Sequence, residues 1–219
     1  MTNPCKIKAV LFDMDGVLIE AKDWHFEALN QALALFGMPI SRVDHLTTYD
    51  GLPTRKKLEM LTLERGLPRE LHEFLNEMKQ RHTMEMVHTR CKPQFAQELA
   101  LSTLKTRGYK LAVCSNSVRG SVEVMMECAG LAPYLDYKVS NEDVSKGKPD
   151  PEMYLKAMAH FGLQPDECLI VEDNEHGIRA AKASGAHLLV VKEVTDTNIT
   201  NILNRIAEIE SAVTPGVAA

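Results

Sequence analysis

Short apolar runs recur along the second half of the chain and alternate with segments of helical spacing. The runs at 111–115, 137–140, 168–172 and 187–191 are each followed by a segment in which apolar residues return every three or four positions. Continuous apolar strands separated by helices are typical of a parallel sheet that is covered on both faces. The pattern therefore predicts a doubly wound α/β core.

An earlier apolar run, at 8–13, predicts a further strand that stands apart from this rhythm. No second strand follows it directly, because residues 24–90 show helical spacing almost throughout. One strand of the sheet is thus separated from the others by an all-helical insert. The predicted division is an α/β core of residues 1–20 and 92–219 and a helical cap of residues 21–91.

Composition excludes several classes of protein. The chain has 219 residues and a formal net charge of −5, with no long basic block, so we expect no nucleic-acid partner. No run approaches the roughly 18 apolar residues that a membrane span needs, so we expect no membrane partner. The five cysteines form no C-x-x-C pair, which favours a reducing, cytoplasmic location over a disulfide framework. We expect a monomer or a small homo-oligomer.

Polar residues close the predicted strands, where ligands bind in an open α/β sheet. Because the carboxyl ends of parallel strands meet at one edge, these residues should converge there. They are Asp13 and Asp15 after the first strand, Ser115 and Asn116 after the second, Lys148 in the loop after the third, and Glu172 and Asp173 at the end of the fourth.

Each of these residue types has a role in phosphoryl transfer. A carboxylate such as Asp13 can attack phosphorus and form an acyl phosphate, which divides one hard step into two. Two anions meet in that attack, so neighbouring carboxylates that bind Mg²⁺ would screen the charge. A lysine and a hydroxyl can hold the remaining phosphate oxygens. Asp15 can protonate the leaving group and then deprotonate the attacking water.

Four segments carry a resemblance to a known family. FDMDGVL, CSNS, GKPDP and IVEDNEHGI resemble, in order, the four motifs of the haloacid-dehalogenase-like superfamily, each at a predicted strand end. The insert after the first motif is similar to the helical cap of the branch that contains phosphoglycolate phosphatase and β-phosphoglucomutase. Within it, GLPTRKKL resembles the cap segment that approaches the substrate.

The resemblance implies a role for each matching position. The implied set is Asp13 as nucleophile and metal ligand, Asp15 as general acid and base with its carbonyl on the metal, Asp173 as a direct metal ligand, Glu172 as a direct or water-mediated one, and Ser115, Asn116 and Lys148 as phosphate-binding residues. Lys146 is an alternative to Lys148. The family's usual hydroxyl at the core–cap hinge is absent, because Ala21 stands in its place.

Two cap residues are candidates for substrate binding, and each has a simpler alternative. His25 occupies a position where mutase-like members often carry a histidine, but a histidine at a helix start can be a capping or packing residue. Arg55 can bind substrate or be a solvated charge on its helix.

The leading hypothesis is a Mg²⁺-dependent phosphatase that hydrolyses a small phosphate monoester, such as a sugar phosphate, through an aspartyl phosphate. The alternative is a phosphosugar mutase on the same core. His25 favours it, whereas Ala21 and the lack of a convincing match for the lysine that mutases place late in the cap weigh against it. A 2-haloacid dehalogenase would leave Asp15 and the Glu172–Asp173 pair without a role. A non-catalytic binding protein of this fold would be expected to lose a motif residue, and none is lost.

Overall fold

A five-stranded parallel sheet forms the centre of the molecule. The computed structural model describes residues 7–212. The strands are β1 (Ala9–Phe12), β2 (Lys110–Cys114), β3 (Tyr137–Val139), β4 (Cys168–Glu172) and β5 (His187–Val190). They lie in the order β3-β2-β1-β4-β5, and every neighbouring pair is parallel. The predicted parallel sheet is confirmed, and β1 lies in its middle although it comes first in the chain.

The part of the chain between β1 and Arg90 contributes no strand to the sheet and forms the helical cap. Its helices are α1 (Lys22–Ala34), α2 (Arg42–Asp44) with a following π-helical turn (His45–Tyr49), α3 (Thr54–Arg65), a 3₁₀ turn (Arg69–Leu71) and α4 (His72–Arg90). They bury an apolar cluster of their own, in which Leu29, Leu58 and Leu75 are almost completely buried. The predicted all-helical insert is confirmed.

The core helices cover both faces of the sheet. They are α5 (Phe95–Thr106), α6 (Arg119–Cys128), α7 (Glu152–Phe161), α8 (Glu175–Ser184) and α9 (Ile199–Ala212). Apolar residues of α5, α6 and α9 pack on one face, against side chains such as Val10 and Val113. Those of α7 and α8 pack on the other, against Leu11 and Ala112. Alternate residues of one strand therefore serve two cores, as a doubly wound sheet requires. Within residues 7–212, none of these helices combines the length and apolar character that crossing a membrane requires.

Helix α5 was not predicted from the sequence. Its apolar pattern is irregular, because Phe95 is exposed whereas Gln97 is buried. The Gln97 amide donates a hydrogen bond to the carbonyl oxygen of Val194, 2.7 Å away, which accounts for a polar side chain on the packed face. Apolar spacing does not reveal a helix when one of its buried positions is a polar residue whose hydrogen bonds are made within the protein.

Candidate active site

The carboxyl ends of the strands and the cap enclose a cavity of about 180 Å³. Asp13 follows β1 directly, Ser115 follows β2 and Lys148 lies in the loop beyond β3, and all three line the cavity. The parallel register places these residues at one edge of the sheet, since β1 pairs with both β2 and β4. The convergence expected from the sequence is found.

Lys148 connects two carboxylates in the floor of the cavity. Its Nζ donates to Asp13 Oδ1 at 2.5 Å and to Glu172 Oε1 at 2.6 Å, and its side chain is 2 % exposed. Asp13 and Glu172 together raise the pKa of Lys148 and outweigh the opposite effect of burial, so the ammonium is charged. Lys146, the alternative lysine, is exposed. The geometry therefore favours Lys148 as the cation of the site.

Glu172 is fixed by donors on both of its oxygens. The Tyr154 hydroxyl donates to Oε1 at 2.5 Å, and the backbone N–H of Asp173 donates to Oε2 at 3.1 Å. Burial and the nearby Glu172 carboxylate raise the pKa of Tyr154 well above its usual value, so the phenol remains a donor. Sequence analysis missed Tyr154, because a tyrosine on the apolar face of α7 has the pattern of a core residue.

Three acids lie close enough together to hold a metal ion. One carboxylate oxygen from each of Asp13, Glu172 and Asp173 lies within 4.8 Å of the others. Burial raises the pKa of Asp13 well above its usual value, with Glu172 and Asp173 adding to the effect. Excess buried negative charge and hard oxygen donors are what a divalent cation such as Mg²⁺ requires, so these residues fit the metal that the family implies.

Asp173 also forms an ion pair with Lys22, the first residue of α1, through Oδ2. The turn after β1 makes this contact possible, because Gly16 has φ of +89° and a side chain there would overlap both Asp173 and Lys22. A residue at the entrance to the cap thus reaches the proposed metal ligands directly.

Asp15 has two polar neighbours at the side of the cavity that faces the cap, a hydroxyl and an imidazole. Ser117 Oγ donates to Oδ2 at 3.2 Å, and His25 Nε2 lies 3.1 Å from Oδ1. Burial raises the pKa of Asp15, but His25, Lys79 and Ser117 outweigh it, so the pKa lies below its usual value. Asp15 is therefore ionised and oriented.

His25 is itself oriented by Lys79 of α4, whose Nζ lies 3.2 Å from His25 Nδ1. An ammonium can only donate, so Nδ1 accepts and the ring proton is on Nε2, the nitrogen that lies 3.1 Å from Asp15 Oδ1. Burial and Lys79 lower the pKa of His25, so the ring is neutral. The predicted cap histidine thus belongs to a chain of polar contacts that ends at Asp15.

Asn116 lies where the cap meets the core. Its Oδ1 accepts from the backbone N–H of Lys148 at 2.9 Å, and its Nδ2 donates to the Gly51 carbonyl oxygen at 3.2 Å. Gly51 has φ of +69° and lies against Asn174 and His176 of the core, so the 50–53 loop rests on the catalytic edge. The neighbouring Ser115 is buried, and its Oγ accepts from the backbone N–H of Ser117 at 3.1 Å.

Arg55 does not point into the site. It lies at the rim of the cavity with a side chain that is 91 % exposed, and its guanidinium is 3.9 Å from Glu59. Three other lysines of the cap line the cavity, Lys22 of α1, Lys57 of α3 and Lys79 of α4, and the last two are buried. Sequence analysis singled out none of them, since a lysine on an amphipathic helix is ordinarily a solvated charge.

The parallel sheet, the helical cap and the acidic cluster beside a buried lysine are together the features of a capped α/β hydrolase. The chain belongs to the haloacid dehalogenase-like hydrolases, whose family model matches residues 10–191. It is 30 % identical over 182 residues to a phosphorylated carbohydrates phosphatase of Thermotoga maritima, covering 82 % of each chain. It is 30 % identical over 181 residues to a phosphoglycolate phosphatase of Aquifex aeolicus, again covering 82 % of each.

The fold is also that of a β-phosphoglucomutase from Clostridium difficile. That structure has a TM-score of 0.79 and 20 % sequence identity, and the match covers 92 % of this chain and 98 % of the other. At this identity the likeness establishes the fold alone. The family resemblance expected from the four motifs is confirmed, and the curated relatives identify the chain as a phosphatase of this family.

Proposed function

We propose that the protein hydrolyses a small phosphate monoester with Mg²⁺, using Asp13 as the nucleophile. The observation that carries this proposal is the buried Asp13, whose Oδ1 is held by Lys148 at 2.5 Å while no hydrogen bond to its Oδ2 is found within residues 7–212. One oxygen is thus fixed and the other has no such donor, and Asp13 lines the cavity. This arrangement suits a carboxylate that attacks along one direction.

In the first step Asp13 attacks phosphorus, and the bond between phosphorus and the ester oxygen breaks. The leaving oxygen takes a proton from Asp15, on the cap side of the cavity. Asp15 is ionised as it stands, so the proton has to arrive with the substrate, whose phosphate has a second pKa of about 6. Ser115, Asn116 and Lys148 hold the phosphate oxygens and stabilise the charge that develops on them.

In the second step water attacks the aspartyl phosphate. Asp15, now ionised again, takes the proton of the water, and the bond between phosphorus and Asp13 breaks to release inorganic phosphate. Ser117 and His25 keep the Asp15 carboxylate in one orientation through both steps. The same group therefore acts first as acid and then as base.

The residues that would hold the metal are Asp13, Asp173 and the backbone carbonyl of Asp15, with Glu172 binding directly or through water. Bound there, Mg²⁺ would offset the repulsion between the nucleophile and the phosphate. Lys148, which contacts both Asp13 and Glu172, would offset the same repulsion with its own positive charge.

The cap of residues 21–91 closes the site in this proposal, and the core comprises residues 1–20 and 92–219. The separate apolar cluster of the cap supports this division. We further propose a cytoplasmic enzyme, monomeric or a small homo-oligomer, that acts on a phosphorylated metabolite and binds neither nucleic acid nor membrane.

The test is Asp13→Asn, assayed with p-nitrophenyl phosphate and Mg²⁺. Losing the nucleophile should lower kcat by about 10⁴-fold or more. Thermal melting of the same protein controls for folding. Wild-type kcat in the folded variant would exclude the mechanism.

A mutase is the second candidate, and Lys79 is the observation that favours it. This lysine lies late in the cap, 3.2 Å from His25, where sequence analysis found no convincing match. Incubation with β-glucose 1-phosphate separates the two functions, because a mutase yields glucose 6-phosphate and a phosphatase yields free phosphate.

A further inference from the structure

A second cleft lies where the cap joins the core, and we call it the hinge cleft. Its volume is about 570 Å³, within the range of about 300–1,000 Å³ that is usual for small-molecule sites. Residues of both connections between core and cap line it, from the segments 16–24 and 90–94, together with the 192–195 segment after β5. The proposed reaction takes place in the other cavity and gives this cleft no role.

The lining of the hinge cleft is positively charged, although the chain as a whole is acidic. It contains two more cations than acids, whereas the formal net charge of the chain is −5. The charged lining residues are Lys22, Arg90, Lys92, Lys192, Glu20 and Glu193. A concave surface lined by an excess of one charge concentrates small ions of the opposite sign, so the cleft favours an anion.

Two of these cations are available to such an anion. Lys92 and Lys192 are exposed and form no ion pair in the described part of the chain. Lys92 belongs to the connection that follows α4, and Lys192 follows β5 of the core. An anion that contacts both lysines would therefore link a hinge segment to the core.

Apolar side chains in the same cleft indicate that the anion has a carbon skeleton. Leu18 and Ile19 line the cleft, as does Trp24, which is half-buried and packs against the apolar cluster of the core. An indole offers a large flat surface to the apolar part of a ligand. An organic anion therefore fits this lining better than an inorganic ion.

Lys22 connects the hinge cleft to the active site. Among residues 7–212 it alone lines both cavities, and its ammonium pairs with Oδ2 of Asp173, one of the three clustered acids. An anion in the hinge cleft offers this ammonium a second acceptor and so weakens its contact with Asp173. Asp173 would then be freer to accept a metal ion.

We propose that the hinge cleft binds a small organic dianion, a phosphate ester or a dicarboxylate, as an effector, and that Lys22 couples its binding to the metal site. Binding at the hinge cleft does not depend on the proposed function. The coupling rests on it, because the acidic cluster is the metal site assigned there. The two parts are therefore tested separately.

Binding can be measured by fluorescence, because Trp24 is the only tryptophan of the chain and lines the hinge cleft. The probes are succinate, a dicarboxylate, and methylphosphonate, a phosphate-like dianion, and neither has an ester bond to hydrolyse. The variant is the double substitution Lys92→Met with Lys192→Met. The matched control is Lys56→Met, which removes the same charge from an exposed position of α3 that lines neither cavity.

We expect at least one probe to change the Trp24 fluorescence of the wild type to saturation, and the probe that binds more tightly identifies the anion class. The double variant should raise its Kd by about tenfold or more, since two charge-assisted contacts are lost. Lys56→Met should leave the Kd within about twofold. Asp13→Asn should also bind the probe as the wild type does, whether or not Asp13 is the nucleophile.

The coupling is measured by calorimetric titration with Mg²⁺ at a saturating concentration of the probe. The probe should tighten Mg²⁺ binding by roughly threefold in the wild type, the range of a partly exposed ion pair, and should have no effect in Lys22→Met. By linkage, Mg²⁺ should lower the Kd of the probe by the same factor. An unchanged Mg²⁺ affinity in the wild type would overturn the coupling.

Two results would overturn the binding site itself. One is the absence of a saturable fluorescence change with either probe. The other is a probe whose Kd is the same in the double variant and which inhibits p-nitrophenyl phosphate hydrolysis competitively, since it would then bind in the catalytic cavity. An effector in the hinge cleft should not compete with this substrate.

Discussion

The core and cap sides of the cavity differ in whether their buried lysines form ion pairs. In the core, Lys148 forms two short ion pairs, with Asp13 and Glu172. In the cap, Lys57 and Lys79 are nearly as buried but have no carboxylate within ion-pair distance in the described part of the chain. The same residue type is thus paired with carboxylates on one side of the cavity and lies apart from them on the other.

This difference indicates that the charged residues of the core and those of the cap have different roles. Paired charges hold their geometry before a substrate arrives, which suits groups that carry out a fixed reaction. Unpaired charges are satisfied only by a ligand of the right charge, which suits groups that select among substrates. The following four predictions test the contrast in order of decreasing expected effect.

Lys148→Met should lower the free energy of unfolding by about 3–5 kcal/mol, because it leaves two buried carboxylates without their cation. Urea denaturation measures the change. Lys146→Met removes an exposed lysine two positions earlier and should change the free energy by less than about 0.5 kcal/mol. Equal values for the two variants would show that the Lys148 ion pairs contribute nothing to folding.

Lys57→Met should have the opposite sign and raise the free energy of unfolding by about 1–3 kcal/mol, since it replaces an unpaired buried cation with an apolar side chain of similar length. The same denaturation experiment applies, with Lys56→Met as the control. A loss of stability would mean that Lys57 is neutralised within the protein, and the contrast between cap and core would then disappear.

The gain from Lys57→Met should depend on pH. Burial lowers the pKa of Lys57 from 10.5 to about 8, so between these values the unfolded chain binds more protons and wild-type stability rises with pH. The advantage of the variant is therefore complete below about pH 8 and declines towards pH 10.5. Denaturation of both proteins at pH 7, 9 and 10.5 measures the decline. A constant difference would show that charge is not its cause.

Lys22→Met should have the smallest effect, on metal affinity. Lys22 Nζ pairs with Asp173 Oδ2, an oxygen that a cation at the acidic cluster would share. Removing this competitor should tighten Mg²⁺ binding by roughly threefold, the range of a partly exposed ion pair. Titration calorimetry with Mg²⁺ measures it directly, and Lys56→Met again serves as control. Weaker binding would show that Lys22 supports the acids instead of competing for them.

The core part of the site could be predicted because strand ends are readable in the sequence. Asp13, Ser115 and Glu172 each close an apolar run, and a parallel register carries such positions to one edge. Tyr154 could not be predicted in the same way. It belongs to the apolar face of α7, and its role becomes visible only from the hydrogen bond that its hydroxyl donates to Glu172.

The cap part was harder to predict because helix spacing does not show which face covers a cavity. Arg55 and Lys57 are two residues apart on α3, so their side chains point about 200° apart. The sequence favoured Arg55, which is exposed, over Lys57, which is buried. His25 and Lys79 meet across 54 positions, through the packing of α1 against α4. No local pattern encodes that contact.

The donors around Glu172 also affect which ion the acidic cluster can accept. Oε1 accepts short hydrogen bonds from Lys148 and Tyr154, whereas the donors to Oε2 are more distant, at 3.1 and 3.4 Å, so a metal would approach this carboxylate more readily through Oε2. Bidentate coordination, by which Ca²⁺ reaches seven or eight ligands, would require both oxygens to turn away from their donors. Mg²⁺ is smaller, needs six ligands and commonly keeps water among them. The two short hydrogen bonds to Glu172 Oε1 therefore favour a cation that needs fewer protein ligands, and calcium should be a poor substitute for magnesium.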